Sequence, residues 1–191
     1  MSIKPWKILR SKYLVQDQWL ALRADTCLTA EGVELDPFYI FEKQDWAHVM
    51  AFDNEGRVLI VRQYRHGSKT ICAELPCGVI DDSDLSPLDA AKRELLEETG
   101  CVAEDYEAIK PVYANPARQT NWVRCFVAYN ARKVVEPNLD VSENIESEFV
   151  SLEALFRLID SGEFSQSLHI SSVYQALRKT GKLNLEEVVL F

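Results

Sequence analysis

The sequence lacks the features that mark secreted, membrane-spanning and disulfide-stabilised proteins. It has 5 cysteines in 191 residues, an odd number with no Cys-x-x-Cys pair, which indicates reduced thiols. No apolar run approaches the roughly 20 residues that a membrane-spanning helix needs. Residues 1–19 lack the apolar core and the cleavage site of a signal peptide. We therefore expect a cytoplasmic protein with no membrane partner.

Basic residues are also scarce, with 21 Lys and Arg against 30 Asp and Glu and a formal net charge of −9. A general nucleic-acid-binding protein needs a basic surface, so this charge argues against nucleic acid as a partner. An anionic small molecule could still bind to local arginines, or to divalent cations held by clustered carboxylates. The sequence contains both kinds of group.

The order of predicted elements indicates a mixed α/β (α+β) sandwich. Residues 1–44 are predicted to form a small N-terminal segment of short strands, and residues 45–191 the main domain. Period-2 patterns and turn residues predict further strands, and apolar periodicity with helix-stop glycines predicts three helices. The predicted strands cover 47–52, 57–64, 70–75, 105–113, 122–129 and 146–151, and the predicted helices 87–99, 152–160 and 167–179.

The first predicted helix has clear start and stop signals. Ser86 is a good N-cap, Pro87 suits the first helical position, and Asp89 can complete a capping box. Gly100 can adopt the left-handed conformation that ends a helix. These signals fix the register of the residues between them.

One face of this helix carries Glu94, Glu97 and Glu98 at i, i+3 and i+4. Like charges at this spacing cost about 0.2–0.5 kcal/mol per pair, and a hard divalent cation with oxygen ligands would offset that cost. The alternative is a solvated acidic face that Arg93 partly neutralises without any metal. The cluster alone leaves both interpretations open.

The surrounding residues resemble a known motif. Residues 78–101, GVIDDSDLSPLDAAKRELLEETGC, are similar to the Nudix box, G-x5-E-x7-R-E-U-x-E-E-x-G-U with U aliphatic. The segment departs from the box at Asp84, which replaces its first glutamate one residue too far from Arg93, and at Cys101, which replaces its last aliphatic residue. Asp81 or Asp82 is the alternative to Asp84 in that role.

The resemblance extends beyond the box to the ADP-ribose pyrophosphatase-like branch of the Nudix superfamily. It is carried by Arg62-Gln63-Tyr64-Arg65, Glu74-Leu75-Pro76-Cys77-Gly78 and the proline-containing Asn115-Pro116-Ala117-Arg118. It implies a Nudix α/β/α sandwich with a mixed β-sheet. It also implies a homodimer, with residues 1–44 as a possible dimerisation element.

The resemblance implies a role for each site residue. The implied cofactor is Mg²⁺, with Mn²⁺ as an alternative, and the implied ligands are Glu94, Glu98, Glu97 and the backbone carbonyl of Cys77. Arg93 would orient the glutamates, and the implied substrate-binding residues are Arg65, Glu74 and Arg118. The catalytic base is expected in the acidic stretch 140–146, with Glu143 favoured, followed by Glu146 and Asp140. His48, His66 and His169 show no metal-ligand or nucleophile spacing, so we assign them structural roles.

The implied reaction is metal-dependent hydrolysis of a nucleoside diphosphate linked to another group. ADP-ribose, cleaved to AMP and ribose 5-phosphate, is the leading substrate. A GDP-sugar such as GDP-mannose, NADH or a diadenosine polyphosphate is an alternative substrate. A non-catalytic nucleotide-sensing module and an acidic scaffold protein are the alternative functions, and the altered loop around Asp84 motivates the first of these.

Overall fold

The computed structural model describes residues 3–141 and 143–183. Ser142, within the predicted acidic loop, and residues 184–191, at the end of the predicted main domain, lie outside the described part. The chain divides into two compact units, one of Met1–Asp45 with Tyr113–Trp122 and one of Trp46–Val112 with Val123–Phe191. The predicted domain boundary between residues 44 and 45 stays a prediction.

Three antiparallel strands form the sheet of the first unit, in the order β1-β2-β3. They are β1 (Lys7–Gln16), β2 (Ala21–Leu28) and β3 (Glu34–Glu42). At 8 to 10 residues they are longer than the short strands expected. Gly32, at φ 84°, makes the turn between β2 and β3, a conformation that favours glycine.

The rest of the chain carries ten strands and three helices in its described part. The strands are β4 (Trp46–Ala51), β5 (Val58–Arg65), β6 (Thr70–Glu74), β7 (Cys77–Val79), β8 (Cys101–Val102), β9 (Asp105–Ala108), β10 (Val112–Tyr113), β11 (Trp122–Tyr129), β12 (Arg132–Lys133) and β13 (Ile145–Val150). The helices are α1 (Pro87–Thr99), α2 (Leu152–Ser161) and α3 (Ser167–Lys179).

The sheet around β4 in the second unit is mixed. The central strand β4 pairs in parallel with β11 and antiparallel with β7, and β9 joins the other edge of β11. A second sheet, wholly antiparallel, has the order β13-β5-β6. The strand predicted over 105–113 was wrong in extent, because β9 ends at Ala108 and Pro111, which has no N–H, precedes β10.

Side-chain alternation along the strands creates two cores, one on each side. Ala47 and Val49 of β4 pack in a cluster with Ala91 and Leu95 of α1. Met50 belongs to the opposite cluster, which contains residues of α2 and α3, because successive strand side chains point to opposite faces. This arrangement is an α/β/α sandwich, so the predicted fold class is confirmed. Among the described residues, no helix is long and apolar enough to cross a membrane.

Candidate active site

Helix α1 begins and ends where the sequence predicts. The Ser86 Oγ accepts a hydrogen bond from the Asp89 N–H at 3.2 Å and donates one to Asp89 Oδ2 at 2.7 Å. Gly100 lies at φ 70°, and its N–H donates to the Leu96 carbonyl at 2.8 Å. These caps satisfy backbone groups at both helix ends and fix which residues of α1 face the site.

Arg93 uses every N–H donor of its guanidinium inside the site. Its Nε and Nη2 donate to the two carboxylate oxygens of Asp84 at 3.0 and 2.9 Å. Its Nη1 donates to Glu94 at 2.8 Å and to Glu97 at 3.0 Å, and its Nη2 also donates to the Val79 carbonyl at 3.0 Å. Because a guanidinium has five donors in a rigid plane, these bonds fix its orientation.

The loop before α1 accommodates the one extra residue between Asp84 and Arg93 by forming a turn. The Asp84 N–H donates to the Asp81 carbonyl at 3.0 Å, and the Asp81 N–H donates to Asp84 Oδ2 at 2.9 Å. This turn directs Asp84 at Arg93, whose guanidinium lowers the pKa of the Asp84 carboxyl. Asp81 Oδ2 lies farther from Arg93, at 3.8 Å. The structure therefore favours Asp84 over its neighbours as the partner of Arg93.

Two carboxylates of α1 are buried. Glu94 is 9% exposed and Glu98 is 2% exposed. Burial raises the pKa of Glu94 to about 7 and raises that of Glu98 well above its usual range, and the charge of Glu143 adds to both shifts. The Cys77 N–H donates to Glu98 Oε2 at 2.9 Å. Glu97 is more open, with 40% of its side chain exposed.

Gly78 allows the close approach of Glu94 to the backbone of β7. A Cβ atom at residue 78 would lie 2.0 Å from the Cδ of Glu94, a distance that real Cβ atoms do not show. Cys77 and Gly78 therefore bring the backbone against both buried carboxylates. Clustered oxygen ligands of this kind suit a hard divalent cation.

Arg65 is held at the end of β5 by a buried carboxylate. Its Nε and Nη2 donate to the two oxygens of Glu74 at 3.0 and 2.5 Å, and Glu74 is 0% exposed. In the described part of the chain, Nη1 of Arg65 donates no hydrogen bond, and the side chain is 43% exposed. Glu74 therefore contacts Arg65, and its predicted contact with substrate stays a prediction.

The three acids considered for the base have different surroundings. Glu143 is half-buried, its N–H donates to the Asp140 carbonyl at 2.9 Å, and its Oε2 accepts from the Asp140 N–H at 3.1 Å. Its charge acts on Glu94 and Glu98. Asp140 and Glu146 are exposed. This difference favours Glu143, whose role as the base stays a prediction.

Arg118, the remaining predicted substrate residue, belongs to the first unit. Its Nη1 donates to the Tyr39 carbonyl at 3.3 Å, and its guanidinium lies 4.3 Å from the ring centroid of Phe38. Leu14, Leu22 and Arg118 are among the residues that line a cavity of about 460 Å³ in that unit. The predicted contact of Arg118 with substrate stays a prediction.

Sequence reasoning missed a pair of buried histidines behind the site. His48 on β4 and His169 on α3 are each 1% exposed, and their rings stack with centroids 4.1 Å apart. Burial and the charge of Arg65 lower the pKa of His169 to about 3, and burial, His169 and Arg65 lower that of His48 well below its usual range. Both are therefore neutral at pH 7. No motif or spacing signals this pair, because they lie on elements far apart in the chain.

Comparison with known proteins finds two matching family descriptions and several similar proteins. The family described as NUDIX domain matches residues 43–168, and the one described as nucleoside diphosphate sugar hydrolase N-terminal domain matches residues 6–41. The chain is 32% identical over 116 residues, 60% of its length, to an ADP-ribose pyrophosphatase of Bacillus subtilis. It is 29% identical over 126 residues, 65% of its length, to an ADP-ribose pyrophosphatase of Mycobacterium tuberculosis.

These matches differ in coverage. The two sequence matches span 62% and 61% of the relatives' own lengths, which is less than two thirds of either protein. A crystal structure of an ADP compounds hydrolase matches 96% of this chain and 100% of its own chain, with a TM-score of 0.82. Since the sequence identity in that match is 18%, it shows a shared fold.

Proposed function

The chain belongs to the NUDIX domain family, and from this premise we propose that it is a metal-dependent pyrophosphohydrolase. Its substrate is a nucleoside diphosphate linked to another group, with ADP-ribose, cleaved to AMP and ribose 5-phosphate, as the leading example. The observation that carries the proposal is the pair of buried carboxylates, Glu94 and Glu98, packed against the backbone at Cys77 and Gly78. Burial of uncompensated charge is costly unless a cation or a proton neutralises it.

Nudix hydrolases generally use divalent metals, and we propose Mg²⁺ here, with Mn²⁺ as the alternative. The ligands would be Glu94, Glu98, Glu97 and the Cys77 carbonyl, an all-oxygen set that suits both ions. When bound, such ions neutralise pyrophosphate oxygens and lower the pKa of the attacking water. The raised pKa values of Glu94 and Glu98 fit this role, because they reflect a site that favours neutralisation of its charge.

The protein's own groups would orient the reactants and move the proton. Arg93 holds Glu94 and Glu97 in position through its Nη1. Arg65 presents its Nη1 to the phosphate oxygens, while Glu74 holds the other side of its guanidinium. The carboxylate of Glu143 accepts the proton of the attacking water, as a general base.

The choice of substrate class rests on the named relatives and on the N-terminal match. Two relatives are named as ADP-ribose pyrophosphatases, and residues 6–41 match a domain named for nucleoside diphosphate sugar hydrolases. A nucleoside diphosphate linked to a sugar is consistent with the named relatives and with the N-terminal match. We also propose that the protein is a homodimer in which residues 1–44 take part.

A product-resolved hydrolysis screen tests this function. EDTA-treated protein is incubated with ADP-ribose, GDP-mannose, NADH or diadenosine polyphosphates, each with Mg²⁺, Mn²⁺ or EDTA, and the products are separated by chromatography. We expect AMP and ribose 5-phosphate from ADP-ribose only when metal is present. Preference for another of these compounds would move the substrate assignment, and no turnover by folded protein on any of them would contradict the enzymatic function.

Three variants separate the proposed ligands from the proposed base. Glu98→Gln should lose Mn²⁺ affinity and activity together, whereas Glu143→Gln should retain Mn²⁺ affinity and lose turnover. Glu153→Gln is the matched control, because Glu153 is an exposed acid on α2 paired with Arg157. Wild-type turnover in Glu143→Gln would remove Glu143 from the mechanism.

A further inference from the structure

We infer that His169 is a positioning residue, which holds the segment Glu74–Cys77 so that Arg65 and Glu98 keep their places in the proposed site. This inference rests on the proposed function, because it concerns the same site. It adds an element that no motif of the sequence includes, since α3 lies outside the acidic helix and its loop. The residue acts through its neighbours and does not contact the reacting atoms.

His169 contacts three groups of this one segment. Its Nδ1 accepts a hydrogen bond from the Leu75 N–H at 3.2 Å. Its Nε2 lies 3.7 Å from the Sγ of Cys77 and 3.5 Å from Oε2 of Glu74. The ring therefore contacts both ends of the segment and its backbone, and at 1% exposure it does so without competition from water.

The hydrogen bonds also determine the tautomer of the ring. A backbone N–H can only donate, so Nδ1 of His169, which accepts from Leu75, carries no proton. A neutral imidazole carries its proton on the other nitrogen, which leaves an Nε2–H facing Cys77 and the carboxylate of Glu74. One ring thus supplies an acceptor for the backbone and a donor for the side chains.

The segment that His169 holds connects the two halves of the proposed site. At one end, both carboxylate oxygens of Glu74 hold the guanidinium of Arg65. At the other end, the N–H of Cys77 donates to Glu98 at 2.9 Å. A shift of the segment would therefore move the phosphate-binding arginine and a buried metal-binding carboxylate together.

A second residue keeps the ring of His169 in place. His48 stacks on it at an interplanar angle of 12°, and Nδ1 of His48 is 3.0 Å from the Ser172 hydroxyl of the same helix. His48 is also the strand partner of Cys77 between β4 and β7. The stack therefore ties α3 to the strand beside the site.

The same atoms do not form a second metal site. Nitrogen or sulfur atoms of His48, Cys77 and His169 lie within 4.8 Å of one another, which suggests a soft-metal cluster. However, an imidazole binds metal along the plane of its ring, and these two rings are stacked and nearly parallel. Both rings cannot direct a nitrogen lone pair at one ion without unstacking inside the core.

The test compares three substitutions at position 169 with one control. His169→Ala removes all three contacts, and His169→Asn retains an oxygen close to the position of Nδ1 for the Leu75 N–H. Val173→Ala is the control, because Val173 is a fully buried residue of the same helix that packs in the core cluster. His169→Gln is the third substitution at this position. Its amide nitrogen would lie near the position of Nε2, and the Leu75 N–H would be left without an acceptor.

Each variant is measured for Mn²⁺ affinity by calorimetry without substrate, for kcat and KM with ADP-ribose, and for thermal midpoint. We expect His169→Ala to lose about 10- to 100-fold in Mn²⁺ affinity and in kcat, the usual effect of losing a residue that orients a metal ligand. We expect His169→Asn to recover more of both than His169→Gln. Val173→Ala should lower the thermal midpoint while Mn²⁺ affinity and kcat stay at wild-type values.

Two results would overturn the inference. One is wild-type Mn²⁺ affinity and kcat in His169→Ala, and the other is an equal loss in Val173→Ala at a matched thermal midpoint. If His169→Ala does not fold, the Mn²⁺ affinity and kcat of His169→Asn and His169→Gln decide the question. Higher values in His169→Asn support the inference, and equal or lower values overturn it. Absence of turnover in the wild type would count against the proposed function alone, because Mn²⁺ affinity is compared without substrate.

Discussion

Replacing Glu94 by glutamine should change how the stability of the metal-free protein depends on pH. Burial raises the pKa of Glu94 from its ordinary value of 4.5 to about 7. Between these two values, the folded protein keeps a proton that the unfolded chain has lost. The stabilising contribution of this group is therefore fully present below about pH 4.5 and is lost as the pH rises through 7.

The size of the effect follows from this shift. Each pKa unit corresponds to about 1.36 kcal/mol, so the raised pKa lowers stability at pH 8 by about 3 kcal/mol relative to pH 4. Glutamine resembles the protonated acid and does not ionise, so Glu94→Gln lacks this loss. In EDTA, the difference in free energy of unfolding between Glu94→Gln and wild type should therefore shift by about 2–3 kcal/mol in favour of the variant from pH 5 to pH 8. Removal of the charge also relieves Glu98, in the same direction.

Urea unfolding in EDTA at pH 5, 6, 7 and 8 measures this difference, provided the m-values agree. Asp53→Asn is the control. Although burial opposes the shift, hydrogen bonds from Arg57 and the Glu55 N–H lower the pKa of Asp53, so its titration lies below this pH range. A constant difference between wild type and Glu94→Gln from pH 5 to 8 would refute the reasoning.

Metal gives an independent check on the same carboxylate. Mg²⁺ at about 100 times its dissociation constant should stabilise the wild type at pH 8 by about 2.7 kcal/mol, through mass action. Glu94→Gln should gain much less, since glutamine is a weaker ligand than a carboxylate. Equal stabilisation of both proteins by Mg²⁺ would place the ion elsewhere.

Three further substitutions test neighbouring groups. Arg93→Lys replaces five donors by three. We expect kcat/KM to fall about 100-fold in kinetic assays and the free energy of unfolding to fall by about 1–3 kcal/mol in urea. Wild-type kinetics would contradict the orienting role of Arg93. Gly78→Ala should displace Glu94, because the carboxylate would lie 2.0 Å from the new Cβ. We expect Mn²⁺ affinity to fall about 10- to 100-fold, while the circular dichroism spectrum stays nearly unchanged. Unchanged Mn²⁺ affinity would show that Glu94 is not a ligand. Glu143→Gln should lower kcat by about 10²–10⁴-fold at constant Mn²⁺ affinity, and a loss of Mn²⁺ affinity would make Glu143 a ligand.

Local sequence signals predicted α1 well. Ser86 and Gly100 cap the helix at the predicted positions, and the spacing of Glu94 and Glu98 follows from helical geometry alone. The strand predicted over 105–113 is interrupted for an equally local reason, since Pro111 has no N–H to donate and separates β9 from β10. Elements whose signals lie within a few residues, such as α1, could thus be predicted from the sequence.

Pairings between distant residues could not be predicted in the same way. The sequence left Asp81, Asp82 and Asp84 as alternatives for the first acid of the motif, and only the turn of the loop directs Asp84 at Arg93. The sequence ranked Glu143 first in its stretch, and the tertiary structure adds that its charge reaches Glu94.

The sequence by itself determined the family, the fold class and the spacing of the acidic helix, because each depends on residue types in a fixed register. The tertiary structure decided that Glu74 is buried against Arg65 and that His169 contacts the segment 74–77. Leu75 and His169 are 94 residues apart in the chain, and no periodic pattern connects them. Such contacts depend on how β6 and α3 pack, since a buried polar group must find its partner wherever packing places one.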